Sequence, residues 1–331
     1  MARRASGGLL QILFDYLPMK PDVEKILHGE QLAGSRLISL LEDRDPRGIE
    51  MLKAIYPHAG KAFLIGITGP AGAGKSTLVS RMISCLRGRG LRVGVVAVDP
   101  SSPYSGGALL GDRIRMKRHE ADEGVFIRSM ATRGHMGGIS RATREAALVM
   151  DAMGYPVVVI ETVGVGQHEV DIVGCVHVTV VVSIPGMGDE IQAMKAGLLE
   201  IGDVFVVNKA DLPGAEELVQ LLEGIVSLTR RREGDWRPPV VKTIASENQG
   251  IAGLMDLLFE HRRQLEACGR LAERLTRNEF NLFRSLVAEM AEKRLLIDSP
   301  ELSAVREDLR RRTIDPYTAA ERLIARIFDA G

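Results

Sequence analysis

Nine consecutive residues, Gly69-Pro70-Ala71-Gly72-Ala73-Gly74-Lys75-Ser76-Thr77, constrain this chain more than any other stretch. They read G-x-x-x-x-G-K-[ST], a loop whose glycines let the backbone curl so that successive N–H groups point at phosphate oxygens. In that reading Lys75 reaches the β- and γ-phosphates and the Ser76 hydroxyl holds Mg²⁺. The helix beginning at Lys75 turns the positive end of its dipole to the same anion. A chain of 331 residues matches the pattern by chance about a few times in a hundred, so the flanks decide. Residues 63–68 form an apolar strand-like run before the loop, and residues 78–83 are amphipathic at helical spacing after it. Strand, loop, helix is the order a phosphate cradle requires.

Composition narrows the class further. Lys plus Arg and Asp plus Glu both number 43, for a formal net charge of zero. A balanced chain offers no electrostatic argument for nucleic acid or a membrane surface as partner, and 4% aromatics weaken a base-stacking surface. Cys85, Cys175 and Cys268 stand far apart on apolar stretches without a C-x-x-C pair, which predicts buried reduced thiols in a reducing compartment. No uninterrupted apolar run reaches membrane-spanning length, and Asp15 interrupts the first apolar stretch, a poor secretory signal. The expected location is the cytoplasm.

Hydrophobic periodicity divides the chain into three parts. Residues 1–60 read as a helical N-terminal extension, with Leu9, Leu10, Ile12 and Leu13 as one apolar group and residues 45–48 breaking the pattern. Residues 61–268 alternate strands and helices, with strand candidates at 62–68, 92–98, 125–130, 156–161, 177–184, 204–208 and 240–245. Most are continuous Val/Ile runs, as strands covered on both faces require. The expected fold is therefore α/β, a P-loop NTPase three-layer sandwich on a mainly parallel sheet, with ligands at the carboxyl ends of the strands. After residue 261 the strand signals stop: 262–293 and 303–328 read as long charged helices, Asp315-Pro316 is a helix start, and residues 269–331 form a helical arm. Such an arm is either an added packing layer or an oligomer contact, and apolar residues that the sheet does not need favour the dimer contact.

Further candidates fall at strand ends. Asp99, closing the second strand, would orient Mg²⁺ through its water shell, or simply cap the turn before Pro100. Asp112, flanked by the glycines of 105–111, suits a switch loop that closes on the metal when triphosphate is bound; its alternative is a helix N-cap. Glu161 closes an apolar strand ahead of Gly164, the second metal-side element of this enzyme class. Gln167 is placed either to orient the attacking water or to face solvent. The run Asn208-Lys209-Ala210-Asp211 offers a carboxylate, Asp211, that accepts from guanine N1–H and N2–H₂, a donor pair adenine lacks. Lys209 would lie along the base plane, and backbone N–H groups of Ala245, Ser246 and Glu247 would meet guanine O6. Together these parts imply a GTPase using GTP/GDP and Mg²⁺.

Four segments carry a closer resemblance: Val98-Asp99-Pro100-Ser101-Ser102, Gly111-Asp112-Arg113-Ile114-Arg115-Met116, Arg128-Ser129-Met130-Ala131-Thr132-Arg133-Gly134, and Glu161-Thr162-Val163-Gly164-Val165-Gly166-Gln167. The chain resembles the MeaB/ArgK family, which includes the GTPase chaperones of adenosylcobalamin-dependent acyl-CoA mutases and the methylmalonic aciduria type A protein. The resemblance implies a homodimer that binds a mutase such as methylmalonyl-CoA mutase, gates its cofactor loading, and protects or reactivates it, without itself holding cobalamin. It also implies an extra switch region at residues 186–195, in which Asp189 and Lys195 respond to the partner. Without the resemblance, Lys195 reads as a solvated helix lysine. Dispersed histidines disfavour nickel or zinc delivery. A small-molecule or transport-associated P-loop kinase or ATPase is the competing reading, against which stand Asp211 and the lack of a legible acceptor pocket.

Overall fold

A computed structural model describes residues 20–99, 117–119, 121–131, 141–162, 172–186, 198–228, 236–295 and 300–329. The chain forms two compact units, Met1–Leu271 and Ala272–Gly331. Leu9, Leu10, Ile12 and Leu13 lie outside the described residues.

The first unit opens with three helices, α1 (Lys20–Leu27), α2 (Gln31–Glu42) and α3 (Pro46–Ile55). The break expected at residues 45–48 falls at 43–45, so that residues 46–48 already belong to α3. The Asp45 side chain accepts from Arg47 N at 2.8 Å and Pro46 takes the first helical position. Gly48 is buried inside α3 because a β-carbon there would stand 2.9 Å from Leu40 Cβ. Ile26, Leu37, Ile38 and Ile55 are fully buried, in one cluster with Val96, Val158 and Ile160 of the sheet. At roughly 1.5–3 kcal/mol for each such side chain, these four alone match much of a domain's net stability. The extension is thus an integral layer of the first unit. Asp151 ties it to the sheet, its carboxylate accepting from the N–H groups of Gly60 (2.6 Å), Lys61 (3.2 Å) and Ala62 (3.0 Å).

The sheet follows as β1 (Phe63–Thr68), helix α4 (Lys75–Gly88), β2 (Val93–Asp99), β3 (Val125–Ala131), α5 (Arg141–Ala152), β4 (Val157–Glu161), β5 (Val178–Ser183), the short α6 (Leu198–Ile201), β6 (Val204–Asn208), α7 (Ala215–Leu228), β7 (Val240–Thr243) and α8 (Ile251–Ala267). All seven strands are parallel, in the order β3-β2-β4-β1-β5-β6-β7. The expected α/β P-loop architecture is what the chain adopts. Every residue of β4, β5 and β6 is buried, which explains their unbroken valine runs. One face packs Ile65, Ile67, Val95, Val159 and Val180 against α4 and α8. The other receives the N-terminal helices and α5, and, at the β6 end, α7.

The helix expected over residues 262–293 is broken. α8 ends at Ala267, and Gly269 turns left-handed at φ 73° before α9 (Arg270–Leu295). Within the second unit α9 is followed by α10 (Pro300–Arg310) and α11 (Pro316–Asp329), which starts where expected, with the Asp315 carboxylate accepting from Tyr317 N and Thr318 N. Cys175 is buried and Cys85 half-buried, but Cys268, at the break, is exposed. Apolar neighbours in sequence did not predict burial where the helix ended. Among the described residues, no helix is long and apolar enough to cross a membrane.

Candidate nucleotide-binding site

The carboxyl end of β1 runs straight into the loop Gly69–Gly74. Gly69 sits at φ 134°, and a β-carbon on it would lie 2.1 Å from Val182 O. Gly74 is left-handed at φ 85° and caps α4 with no side-chain bond, so the first helical N–H groups face the loop. Lys75 is buried, and its ammonium donates to Gly69 O (2.8 Å) and Pro70 O (3.0 Å). The charge is therefore held over the loop, where an anion would draw it.

Sheet register supplies the acid. Ile67 of β1 pairs with Glu161 of β4, which also pairs with Ala97 of β2. Ser76 Oγ donates to Glu161 Oε1 at 2.7 Å, with Ser76 5% and Glu161 2% exposed. Oxygen donors buried at the foot of a phosphate loop are what Mg²⁺ selects. Among the described residues no three or more His, Cys, Asp or Glu side chains gather to hold a metal. Thr162 extends the arrangement, its N–H donating to Ile67 O (3.0 Å) and its hydroxyl to Thr68 Oγ1 (3.2 Å). Asp99 ends β2, two positions beyond Ala97 and paired with Ala131 of β3. Asp112, Gln167, Asp189 and Lys195 lie outside the described residues.

The base-reading segments meet the loop through one buried side chain. Asn208, 2% exposed, donates from Nδ2 to Ala73 O (2.9 Å) and accepts at Oδ1 from Thr243 Oγ1 (3.0 Å) and Ala245 N (3.1 Å). It is a strut joining three loops at the ends of β1, β6 and β7. Lys209 is left-handed at φ 54°, and Ala210 N donates to Thr243 O (3.1 Å), which holds the turn bearing the exposed Asp211. Of the three backbone donors expected for guanine O6, Ala245 N–H is committed to Asn208 and Glu247 N–H to Ile244 O (3.0 Å). That narrows the choice to Ser246 N–H. Arg81 of α4 closes the group, donating from Nε to Ala245 O (2.9 Å) and from Nη2 to Ser246 O (2.6 Å). Neither Arg81 nor Thr243 has a motif that would have flagged it in sequence.

The outer side of α4 is also anchored. Arg87 and Asp122 form a bidentate pair that holds the Asp122 carboxyl below the usual carboxylate range. His119 lies against Ser80 Oγ and Ser80 O, both at 3.0 Å; burial first, and then the neighbouring Arg118, push its pKa down. Burial and nearby Arg81 likewise push Arg118 down.

A parallel sheet ordered about β1, with the glycine loop between β1 and α4, makes this a P-loop nucleotide triphosphatase. Residues 34–299 match the family described as Methylmalonyl Co-A mutase-associated GTPase MeaB, and the chain belongs to that family. A protein of Pyrococcus abyssi is 46% identical over 313 residues, covering 93% of this chain and 97% of its own. The GTPase ArgK of Escherichia coli is 37% identical over 258 residues, 76% of this chain and 78% of that one. The mouse methylmalonic aciduria type A homolog, a mitochondrial protein, is 38% identical over 285 residues, 80% and 69% respectively. Among solved structures, an LAO/AO transport system kinase superposes with a TM-score of 0.71 at 28% identity, covering 93% of this chain and 97% of its own.

Proposed function

We propose that this protein is a GTP-binding and GTP-hydrolysing chaperone of an adenosylcobalamin-dependent acyl-CoA mutase of the methylmalonyl-CoA mutase type. In this reading it gates cofactor loading and protects or reactivates the mutase, without binding cobalamin itself. The observation that carries the nucleotide half is Asn208, which locks the phosphate loop to the two segments that would read the base. Family membership and the mouse relative support the mutase half. The proposed location is the cytoplasm.

The loop from Gly69 to Thr77 would cradle the phosphates, with Lys75 drawn from its carbonyl contacts onto the β- and γ-oxygens. Ser76, Glu161, Asp99 and Asp112 would hold Mg²⁺, which when bound offsets phosphate charge. Water attacks the γ-phosphorus, the bond to the β–γ bridging oxygen breaks, and GDP and phosphate leave. Gln167 would orient that water, and Lys195, with Asp189 beside it in the partner-responsive region, would neutralise charge developing on the γ-phosphoryl group. Asp211 would accept from guanine N1–H and N2–H₂, Lys209 would cover the base, and the Ala245–Glu247 turn would meet O6. With no arginine finger legible in cis, basal turnover should be slow and rise when the mutase binds.

The second unit supports a homodimer. Phe280, Phe283, Val287 and Met290 of α9 are exposed at spacings of three, four and three, the a/d rhythm of a helix seam. Phe280 and Phe283 already pack together, with ring centroids 5.9 Å apart.

Capture of the tagged chain from its native host, loaded with GDP or with a non-hydrolysable GTP analogue, tests the partner. A B12-dependent mutase should be recovered in a nucleotide-dependent manner; its absence from both would sink the mutase reading. The transport-kinase name of the similar solved structure favours a second reading, phosphotransfer to an acceptor. Labelled γ-phosphate appearing on an acceptor rather than in water would establish it.

A further inference from the structure

We infer that Arg81 is a positioning residue for guanine recognition, holding the Ser246 N–H aimed at the base; this rests on the GTPase reading above. Arg81 is half-buried on α4, five residues beyond Ser76, so it grows from the same rigid helix that begins at the phosphate loop. Its guanidinium spans two successive carbonyls, Nε on Ala245 O at 2.9 Å and Nη2 on Ser246 O at 2.6 Å. Both are charge-assisted bonds, and the planar fork fixes their relative orientation.

Peptide geometry carries the consequence. The Ala245 carbonyl and the Ser246 N–H belong to one planar trans unit and point in opposite directions. Pinning the carbonyl on Arg81 therefore pins the N–H away from Arg81. The preceding peptide is fixed independently, because its N–H, on Ala245, is bonded to Asn208 Oδ1 at 3.1 Å. Ser246 N–H thus sits between two clamped units, one tied to α4 and one to the strut that touches the phosphate loop. Asn248 N reaches Ala245 O at only 3.4 Å, so within the turn itself that carbonyl is weakly held. Arg81 supplies the shorter bonds to this carbonyl and the next, so without it the O6 donor would be less firmly pre-aimed.

Guanine offers a way to separate this role from simple loss of structure. Replacing O6 by sulfur, as in 6-thio-GDP, removes the oxygen acceptor that meets the Ser246 N–H while keeping both donors to Asp211. Removing the 2-amino group, as in IDP, weakens only the contact with Asp211. In the wild-type protein 6-thio-GDP should bind roughly tenfold more weakly than GDP. In Arg81→Ala, GDP itself should bind about three- to tenfold more weakly and the 6-thio-GDP penalty should shrink to about two- or threefold. The IDP penalty should stay within twofold of wild type. Arg81→Lys, which keeps charge but not the fork, should fall with the alanine variant; it also serves if the alanine variant fails to fold. An unchanged 6-thio-GDP penalty in either variant, or a loss spread equally over both analogues, overturns the inference. Wild-type protein that fails to prefer GDP over ADP sinks the guanine reading instead.

Discussion

Replacing Asn208 by alanine removes three hydrogen bonds from a side chain that is 2% exposed, and leaves Ala73 O, Thr243 Oγ1 and Ala245 N short of a partner. At about 1 kcal/mol net for each, the expected destabilisation is about 3 kcal/mol, and burial of the orphaned groups pushes it upward. For a unit of this size that lowers Tm by about 6–12 °C. Nucleotide affinity should fall as well, about ten- to a hundredfold for GDP, because the phosphate loop and the base-reading turn lose their common strut. Asn208→Asp separates the two effects. Its carboxylate still accepts from Thr243 and Ala245 but turns an oxygen toward the Ala73 carbonyl. It should keep the turn ordered while weakening GDP at least as much as the alanine variant. Calorimetric titration with GDP and thermal melts of both variants make the test. If both bind GDP within twofold of wild type, Asn208 does not join the two halves of the site and the geometric argument is wrong.

Three other outcomes follow from the same structure. Asp211→Asn should shift base preference from guanine to xanthine nucleotides, read by competition between GDP and XDP; an unchanged preference for GDP would remove Asp211 from the base site. Stability should fall as the medium is acidified below pH 6.5, the ordinary value from which burial lowers the His119 pKa. The sign follows because the unfolded chain takes up that proton first: the contribution is full above 6.5 and is lost as pH falls toward the folded value. His119→Gln should flatten this part of the Tm–pH curve, and a variant with the wild-type slope would refute it. Phe283→Glu with Met290→Glu should give a monomer by light scattering while the first unit keeps its melting temperature; wild-type protein that is already monomeric at all concentrations would exclude α9 as the seam.

The fold was legible because its signals are redundant. β4, β5 and β6 are fully buried and largely apolar runs, and they end in the polar residues Glu161, Ser183 and Asn208 where the sheet opens to ligand. The phosphate loop was legible from its glycine pattern and Glu161 from an acid closing an apolar strand, whereas Asn208 entered only as the first residue of the run bearing Asp211, and its strut role is visible only in the fold. What escaped was of another kind. Gly48 and Cys268 were misread because their environment depends on where helices begin and end, which Asp45 and Gly269 decide locally. Arg81 and the commitment of Ala245 N–H were invisible because they act through backbone atoms that any residue type supplies, and Thr243 because a lone strand-end hydroxyl on Asn208 carries no motif. Sequence assigned three N–H donors to guanine O6, and only the hydrogen bonds of the folded turn reduce them to Ser246.

This difference also orders the candidates by what holds them. Ser76, Glu161 and Asn208 are buried among strands β1, β4 and β6, and their bonds to one another or to the loop are part of the core. Asp112, Gln167 and Lys195 enter the chain after the carboxyl ends of β2, β4 and β5, and β4 and β5 are the strands that flank β1. Described residues that border two of these segments are held by that same core. Thr162, bonded to Ile67 O and Thr68 Oγ1, leads into the segment of Gln167, and Ile172, fully buried, ends it. His119, lying against Ser80 on α4, follows the segment of Asp112. The described residues that border the segments of Asp112 and Gln167 are thus anchored on α4 and β1, the two elements that hold the phosphate loop.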